Sequence, residues 1–363
     1  MRTFPGHRLM AATFACLATI VACPTPAQAD QHRDQQWYLK SLRVAEAHRI
    51  TEGKGVTVAV IDSGVWAEHP DLAGAVLPGF NVLGKGDGRD DLEGHGTGIA
   101  GVIAARGRSG DRGVLGVAPA AVILPVSPAG SPLVVTKAID WSVEHGAKVI
   151  NMSFLTGNTD GLAAAIKRAA DADVVLVAGS GNDDEVGSDS EYPAAYPEVI
   201  AVGAANRAGK IASFSHPGPQ LDLVAPGVDV TVASSDPAKE YQRVQGTSVS
   251  SAIVSGAAAL IRAKNPELSA AQVAEVLEST AIDKGAAGRD DTYGHGELDL
   301  MSALSAAASV TRRPDASAGT VPNSGSDGGE SGLPVVVVVG VGVLVLAGAV
   351  VALVVGVRRG RGR

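Results

Sequence analysis

The stretch "GVTVAVIDSG", Gly55 to Gly64, decides the fold. Seven small or apolar residues lead into Asp62, and Ser63-Gly64 then turns the chain. An uncharged β-branched run of this kind is a buried strand, which needs cover on both faces. Four more follow it: "AVILPVS" (Ala121–Ser127), "AKVINMS" (Ala147–Ser153), "DVVLVAG" (Asp173–Gly179) and "VIAVGA" (Val199–Ala204). Helical patterns separate them at Gly96–Arg106, Val134–Gly146 and Thr159–Ala172. The alternation predicts an α/β domain: a mainly parallel sheet with helices on both faces. Functional polar residues in such folds gather beyond the carboxyl ends of the strands, where Asp62 falls.

The 363 residues suffice for one large domain and appendages. Only 4% are aromatic and 45 are glycine, so the core must be built mainly from Val, Ala, Ile and Leu.

Both ends carry membrane signals. Arg2 and Arg8 precede the apolar stretch Leu9–Ala22, and Ala27-Gln28-Ala29 fits a small-x-small cleavage site, which predicts a signal peptide over 1–29. The alternative is a lipidated Cys23, since "IVAC" resembles a lipobox. Cleavage after Ala29 removes both cysteines, Cys16 and Cys23, and with them any disulfide or thiol nucleophile. At the other end, 335–357 is an uncharged stretch of about 34 Å as a helix, long enough to span a bilayer. The basic tail 358–363, "RRGRGR", places the C-terminus in the cytoplasm and the domain outside. Between domain and span, 311–334 is rich in Gly, Ser, Pro and Asp and is expected to be a flexible tether. Without Arg2, Arg8 and the four tail arginines, 24 basic residues face 38 acidic ones. A surplus of 14 negative charges leaves no basic patch for nucleic acid.

Three residues carry the chemistry. Asp62 ends the first strand. His95 sits in "DLEGHGTGIAG" (Asp91–Gly101) between two glycines that leave room for another group to approach its ring. Ser248 follows Gly246-Thr247 at the start of the apolar helical run in "GTSVSSAIVSG" (Gly246–Gly256). Singly, they read as a turn former, a loop histidine and a helix cap. Together they supply a nucleophile, the base that takes its proton and the carboxylate that orients the base. Ser250, Ser251 and Ser255 lie deeper in the run and suit close packing.

The order Asp–His–Ser, with "VAVIDSGV", "GHGTGIAG", "VINMSF", "AGSGND", "YPAAYPEVIAVGA" and "GTSVSSAIVSG", resembles the subtilisin-like serine proteases, or subtilases. The resemblance implies Asp62 as orienting acid, His95 as general base and Ser248 as nucleophile. It also implies Asn182, in "AGSGND", as an oxyanion donor beside the backbone N–H of Ser248. The peptidase domain then spans 53–310, with 30–52 a short segment packed on it rather than a separate folding domain. Signal, short segment, tether, single span and basic tail resemble the mycosins, which implies association with a type VII secretion membrane complex and exported proteins as substrates. The alternative is a structural component or cap of that complex, with proteolysis dispensable.

No cofactor is implied. The acidic stretch Ser180–Glu191 is expected to be a solvated loop rather than a metal site. Three departures from the family pattern concern the cleft and its helices. Ala252 stands where proline is usual, Gly98 where a second histidine is common, and Leu155 where many subtilases have glycine in the strand that pairs with substrate. Leu155 is expected to narrow the cleft.

Overall fold

Strand β1 (Thr57–Ile61) shows why the first run is apolar on both sides. Val58 and Val60 belong to one hydrophobic core, while Ala59 and Ile61 belong to another across the sheet. The computed structural model, which describes residues 31–108, 112–182 and 191–310, places β1 near the middle of a seven-stranded sheet. The expected signal, tether, membrane span and tail lie outside the described residues, as does most of the acidic stretch 180–191. Among the described residues, no helix is long and apolar enough to cross a membrane.

The other sheet members are β2 (Phe80–Asn81), β5 (Val122–Ser127), β6 (Val149–Met152), β7 (Val175–Gly179), β8 (Val199–Ala205) and β9 (Leu223–Pro226). Their order is β2-β5-β1-β6-β7-β8-β9, and every neighbouring pair is parallel. Two antiparallel pairs stand apart from it, β3 (Arg106–Arg108) with β4 (Arg112–Leu115) and β10 (Val230–Ala233) with β11 (Tyr241–Val244). The same alternation of faces persists through the sheet. Val175 and Val177 face one core while Leu176 and Ala178 face the other. Side chains of a strand point alternately to opposite faces, so a strand covered on both sides must be apolar throughout.

Each face has its own helices. Helices α5 (Pro132–Glu144) and α6 (Asp160–Asp171) cover one. The other is covered by α4 (His95–Ala104), α7 (Thr247–Lys264), α8 (Ala270–Ser279) and α9 (Leu300–Ser309). Thr159 caps α6, a Ser269–Gln272 capping box opens α8 and Asp299 caps α9. Helix α7 runs through the interior, with all but three of its residues buried, and is continuous through Ala252. Its Ala, Gly and Ser residues let neighbours approach: a Cβ on Gly256 would lie 2.6 Å from that of Val117.

Residues ahead of β1 form α1 (Gln31–Gln35), α2 (Trp37–Ser41) and α3 (Val44–His48). The side-chain amide of Gln36 takes the place of a strand's peptide unit. Its Oε1 accepts from Leu115 N at 2.8 Å and its Nε2 donates to Leu115 O at 3.0 Å. Arg33 Nε donates to Gly113 O at 3.0 Å and Trp37 Nε1 to Val228 O at 3.0 Å. Tyr38 is fully buried, and burying a side chain of this size contributes on the order of 2 kcal/mol.

Candidate active site

The carboxyl ends of β1, β6 and β7 bring the predicted residues together. Asp62 follows β1 directly, and its backbone N–H donates to Val126 O on β5 at 3.0 Å, which fixes where the side chain emerges. His95 is the first residue of α4, after Gly94 in the left-handed region at φ 84°. The Asp62 carboxylate accepts from His95 Nδ1, with Oδ1 at 2.8 Å and Oδ2 at 3.0 Å. Gly96 permits this approach, because a Cβ there would overlap the Gly64 carbonyl and lie 3.0 Å from Asp62 Cβ. Asp62 Oδ1 also accepts from Ser63 N at 2.8 Å and Ser63 Oγ at 3.2 Å.

Burial is unequal across this pair: 4% of the Asp62 side chain is exposed against 45% of His95. The carboxylate is therefore held in the protein and the imidazole faces the cleft. With Nδ1–H donating to Asp62, the neutral ring carries its lone pair on Nε2, the form a general base requires.

Ser248 lies in the first turn of α7, where backbone N–H groups have no partner within the helix. Gly246 occupies the cap position, so Ser248 is not the cap that its sequence context also allowed. Its hydroxyl donates to Ser153 O, just beyond β6, at 3.2 Å. Ser153 Oγ in turn meets Ser248 O at 3.1 Å and Ser251 Oγ at 2.9 Å. Buried Asn151 continues the network, donating from Nδ2 to Ser153 Oγ at 2.8 Å and accepting from Ser255 Oγ at 2.9 Å. The inner serines of α7 thus lock the end of β6 against the helix.

Asn182 follows β7. Its Oδ1 accepts from Thr247 N at 3.1 Å and Thr247 Oγ1 at 3.4 Å, while Gly181 N donates to that same hydroxyl at 3.2 Å. A backbone N–H can only donate, so its partner must be the amide oxygen. That leaves Nδ2 as the half of the amide not taken up by Thr247.

Two cavities meet here and, among the described residues, have only His95 and Ser248 in common. One, of about 510 Å³, lies along Pro128-Ala129 and Ser153–Leu155 and includes Asp62 and Glu93. The other, of about 490 Å³, includes Asn182, Gly98 and the apolar side chains near β10, β11 and α7. Leu155 lines the first cavity, and its Cδ1 would lie 3.2 Å from a Cβ built on Gly181.

Sequence reasoning missed Asp91, a buried carboxylate four residues before His95. It accepts from Ser63 Oγ (2.8 Å), Glu93 N (3.2 Å), Gly94 N (2.8 Å), Thr97 N (2.9 Å) and Thr97 Oγ1 (2.6 Å). These bonds shape the loop that presents His95. The only available signal was an aspartate inside the quoted histidine stretch. Thr247, Ser63 and Asn151 were missed in the same way. Among the described residues, no group of three or more His, Cys, Asp or Glu is placed to hold a metal ion.

Comparison with known proteins gives a consistent result. The family model described as "Subtilase family" matches residues 53–296. A subtilisin of Bacillus pumilus is 40% identical over 260 residues, covering 69% of this chain and 91% of that protein. Among solved structures, MycP1 with its N-terminal propeptide removed matches at a TM-score of 0.66 and 31% identity, over 74% of this chain and 96% of that one. The MycP3 protease from the type VII (ESX-3) secretion system matches at the same TM-score and identity, over 74% of this chain and 87% of that one. With a matched family model spanning the whole sheet and relatives of this similarity, the chain belongs to the subtilase family and is a subtilisin-like serine protease.

Proposed function

We propose that the chain is a membrane-anchored, extracytoplasmic serine endopeptidase that works through an acyl-enzyme. The carrying observation is the bonded Asp62–His95 pair at the junction of two cavities that also share Ser248. In this reading the Ser248 hydroxyl turns from the Ser153 carbonyl toward His95 Nε2. The imidazole takes its proton as Oγ attacks the substrate carbonyl carbon. Asp62 stabilises the imidazolium, which then protonates the leaving amine, and water repeats the sequence to release the acyl group. Asn182 Nδ2 and the Ser248 backbone N–H donate to the oxyanion; one such donor lowers the barrier by about 3–4 kcal/mol.

The layout is 1–29 signal, 30–52 packed segment, 53–310 peptidase domain, 311–334 tether, 335–357 membrane span and 358–363 cytoplasmic tail. Likeness to MycP1 and MycP3 supports placing the enzyme beside a type VII secretion complex, acting on exported proteins. Tethering raises its effective concentration over membrane-bound partners. Labelling the full chain with a fluorophosphonate, followed by peptide mapping, tests the catalytic reading. Modification should fall on Ser248 and vanish in His95→Ala; label on any other residue refutes it.

A structural role in the secretion complex is the second reading, favoured by Leu155 in the substrate cavity. Ser248→Ala and a full deletion, compared in the native host, separate the two. Export lost only in the deletion supports the structural role.

A further inference from the structure

We propose that the cavity beside Gly98 selects a large apolar side chain on the substrate residue immediately after the scissile bond. The inference rests on the catalytic reading above and adds to it the class of substrate.

A peptide threaded through the cleft must cross the His95–Ser248 junction, the only wall common to both cavities. In the reading above the acyl half stays on Ser248 and its chain lies along Pro128-Ala129 and Ser153–Leu155, the latter matching the strand that the subtilase resemblance pairs with substrate. The leaving half begins at the amine that His95 protonates, so its first side chain enters the opposite cavity. That cavity is apolar where it is deepest: Ile99, Val232 and Val249 are each no more than 3% exposed. Phe214 and Val244 extend the apolar lining, and Gln242 and Gln245 complete it.

Gly98 makes the space. It lies on α4, one turn beyond His95, and a Cβ there would stand 3.1 Å from Val232 Cγ2 and 3.5 Å from Ala233 O. Any longer side chain would take up the volume next to Val232. The cavity holds about 490 Å³, and among the described residues its lining includes no charged side chain except the His95 imidazole when protonated. A glycine or alanine at the leaving position would leave this apolar volume to water. A leucine or phenylalanine would fill it, and a lysine or aspartate would be desolvated without a partner.

The test uses the full chain in detergent with quenched-fluorescence peptides that share one acyl half and differ only in the residue after the cleaved bond. The methyl ester of the same acyl half serves as reference. The expected result is a kcat/KM roughly tenfold to a hundredfold higher for Leu or Phe than for Gly, with Asp lowest. Gly98→Leu should reduce the Leu-to-Gly ratio to about threefold or less, each peptide rate being taken relative to the same variant's ester turnover. Val244→Glu, at the half-exposed edge, should shift the preference towards Lys and serves should Gly98→Leu fail to fold. Ester turnover with no preference among the peptides overturns this inference and leaves the catalytic reading standing. Absence of ester turnover overturns both.

Discussion

Ser248 Oγ donates to the backbone carbonyl of Ser153 at 3.2 Å, holding the hydroxyl at the junction of the two cavities. In the proposed mechanism this is a resting position, from which the hydroxyl turns towards His95. The predicted consequence is that Ser248→Ala lowers peptide hydrolysis roughly 10⁴-fold or more. Thermal stability should stay within about 1 kcal/mol, because one half-buried hydrogen bond is lost. Single-turnover kinetics and a melting curve on the same preparation check both numbers.

Asn182→Ala removes a side chain whose orientation Thr247 sets through two hydrogen bonds. The expected loss is about 10²- to 10³-fold in kcat, with KM little changed, since the proposed oxyanion donor acts on charge that develops only in the transition state. A change confined to KM would assign Asn182 to ground-state binding instead.

Asp91→Ala strips five donors of their buried acceptor. Unsatisfied donors of this kind cost about 2–4 kcal/mol in total, or a fall in Tm on the order of 5–10 °C. Because these bonds shape the loop that presents His95, kcat should fall as well, even well below the melting temperature.

Leu155→Gly opens the cavity proposed to hold the acyl half. Hydrolysis of folded or bulky protein substrates should rise about twofold to tenfold while small ester substrates change little. Equal effects on both would show that Leu155 does not act by sterics.

A pH dependence of stability is built into the packing of α8. Burial, reinforced by the nearby Asp222 charge and opposed by Arg289, pushes the Glu278 carboxyl up to about 7 from 4.5. Asp222 is raised too, chiefly by burial, and Glu275 and His295 complete the charged surroundings. Below pH 4.5 the group is protonated whether the chain is folded or not. Between 4.5 and 7 the unfolded chain ionises first, so this group's contribution to stability falls as pH rises and levels off above 7. Glu278→Gln should flatten that slope and at pH 8 exceed the parent by on the order of 1 kcal/mol. Parallel Tm profiles for the two proteins from pH 5 to 8 would refute this.

Much of the site was legible because its chemistry and its location share a cause. Asp62 is polar at the end of an apolar run, and the sheet architecture sends such residues to one edge. Ser248 and His95 each start a helix, and the glycines beside them mark close backbone approach. The supporting groups were hidden for an equally physical reason. Asp91 is one acid among many until its five donors surround it, and Asn151 is one polar residue in a strand until Ser153 and Ser255 meet it. The short strands β2 and β9 and the β10–β11 pair carry little pattern of their own, because their partners rather than their residues define them. Helices α1 to α3 are each five residues long, too short for periodicity to show.

The anchorage of Trp37 on Val228 spans 191 positions of chain. A polypeptide emerging amino end first through a translocation pore cannot make that contact until most of the domain has crossed. Its leading helices must wait outside, solvated and incomplete, for a landing place that arrives late, and contacts this distant in sequence slow the final assembly. The nucleophile's helix emerges later still. In the proposed exported layout, the catalytic apparatus can therefore be complete only after α7 has crossed, which by itself delays hydrolytic competence until late in export.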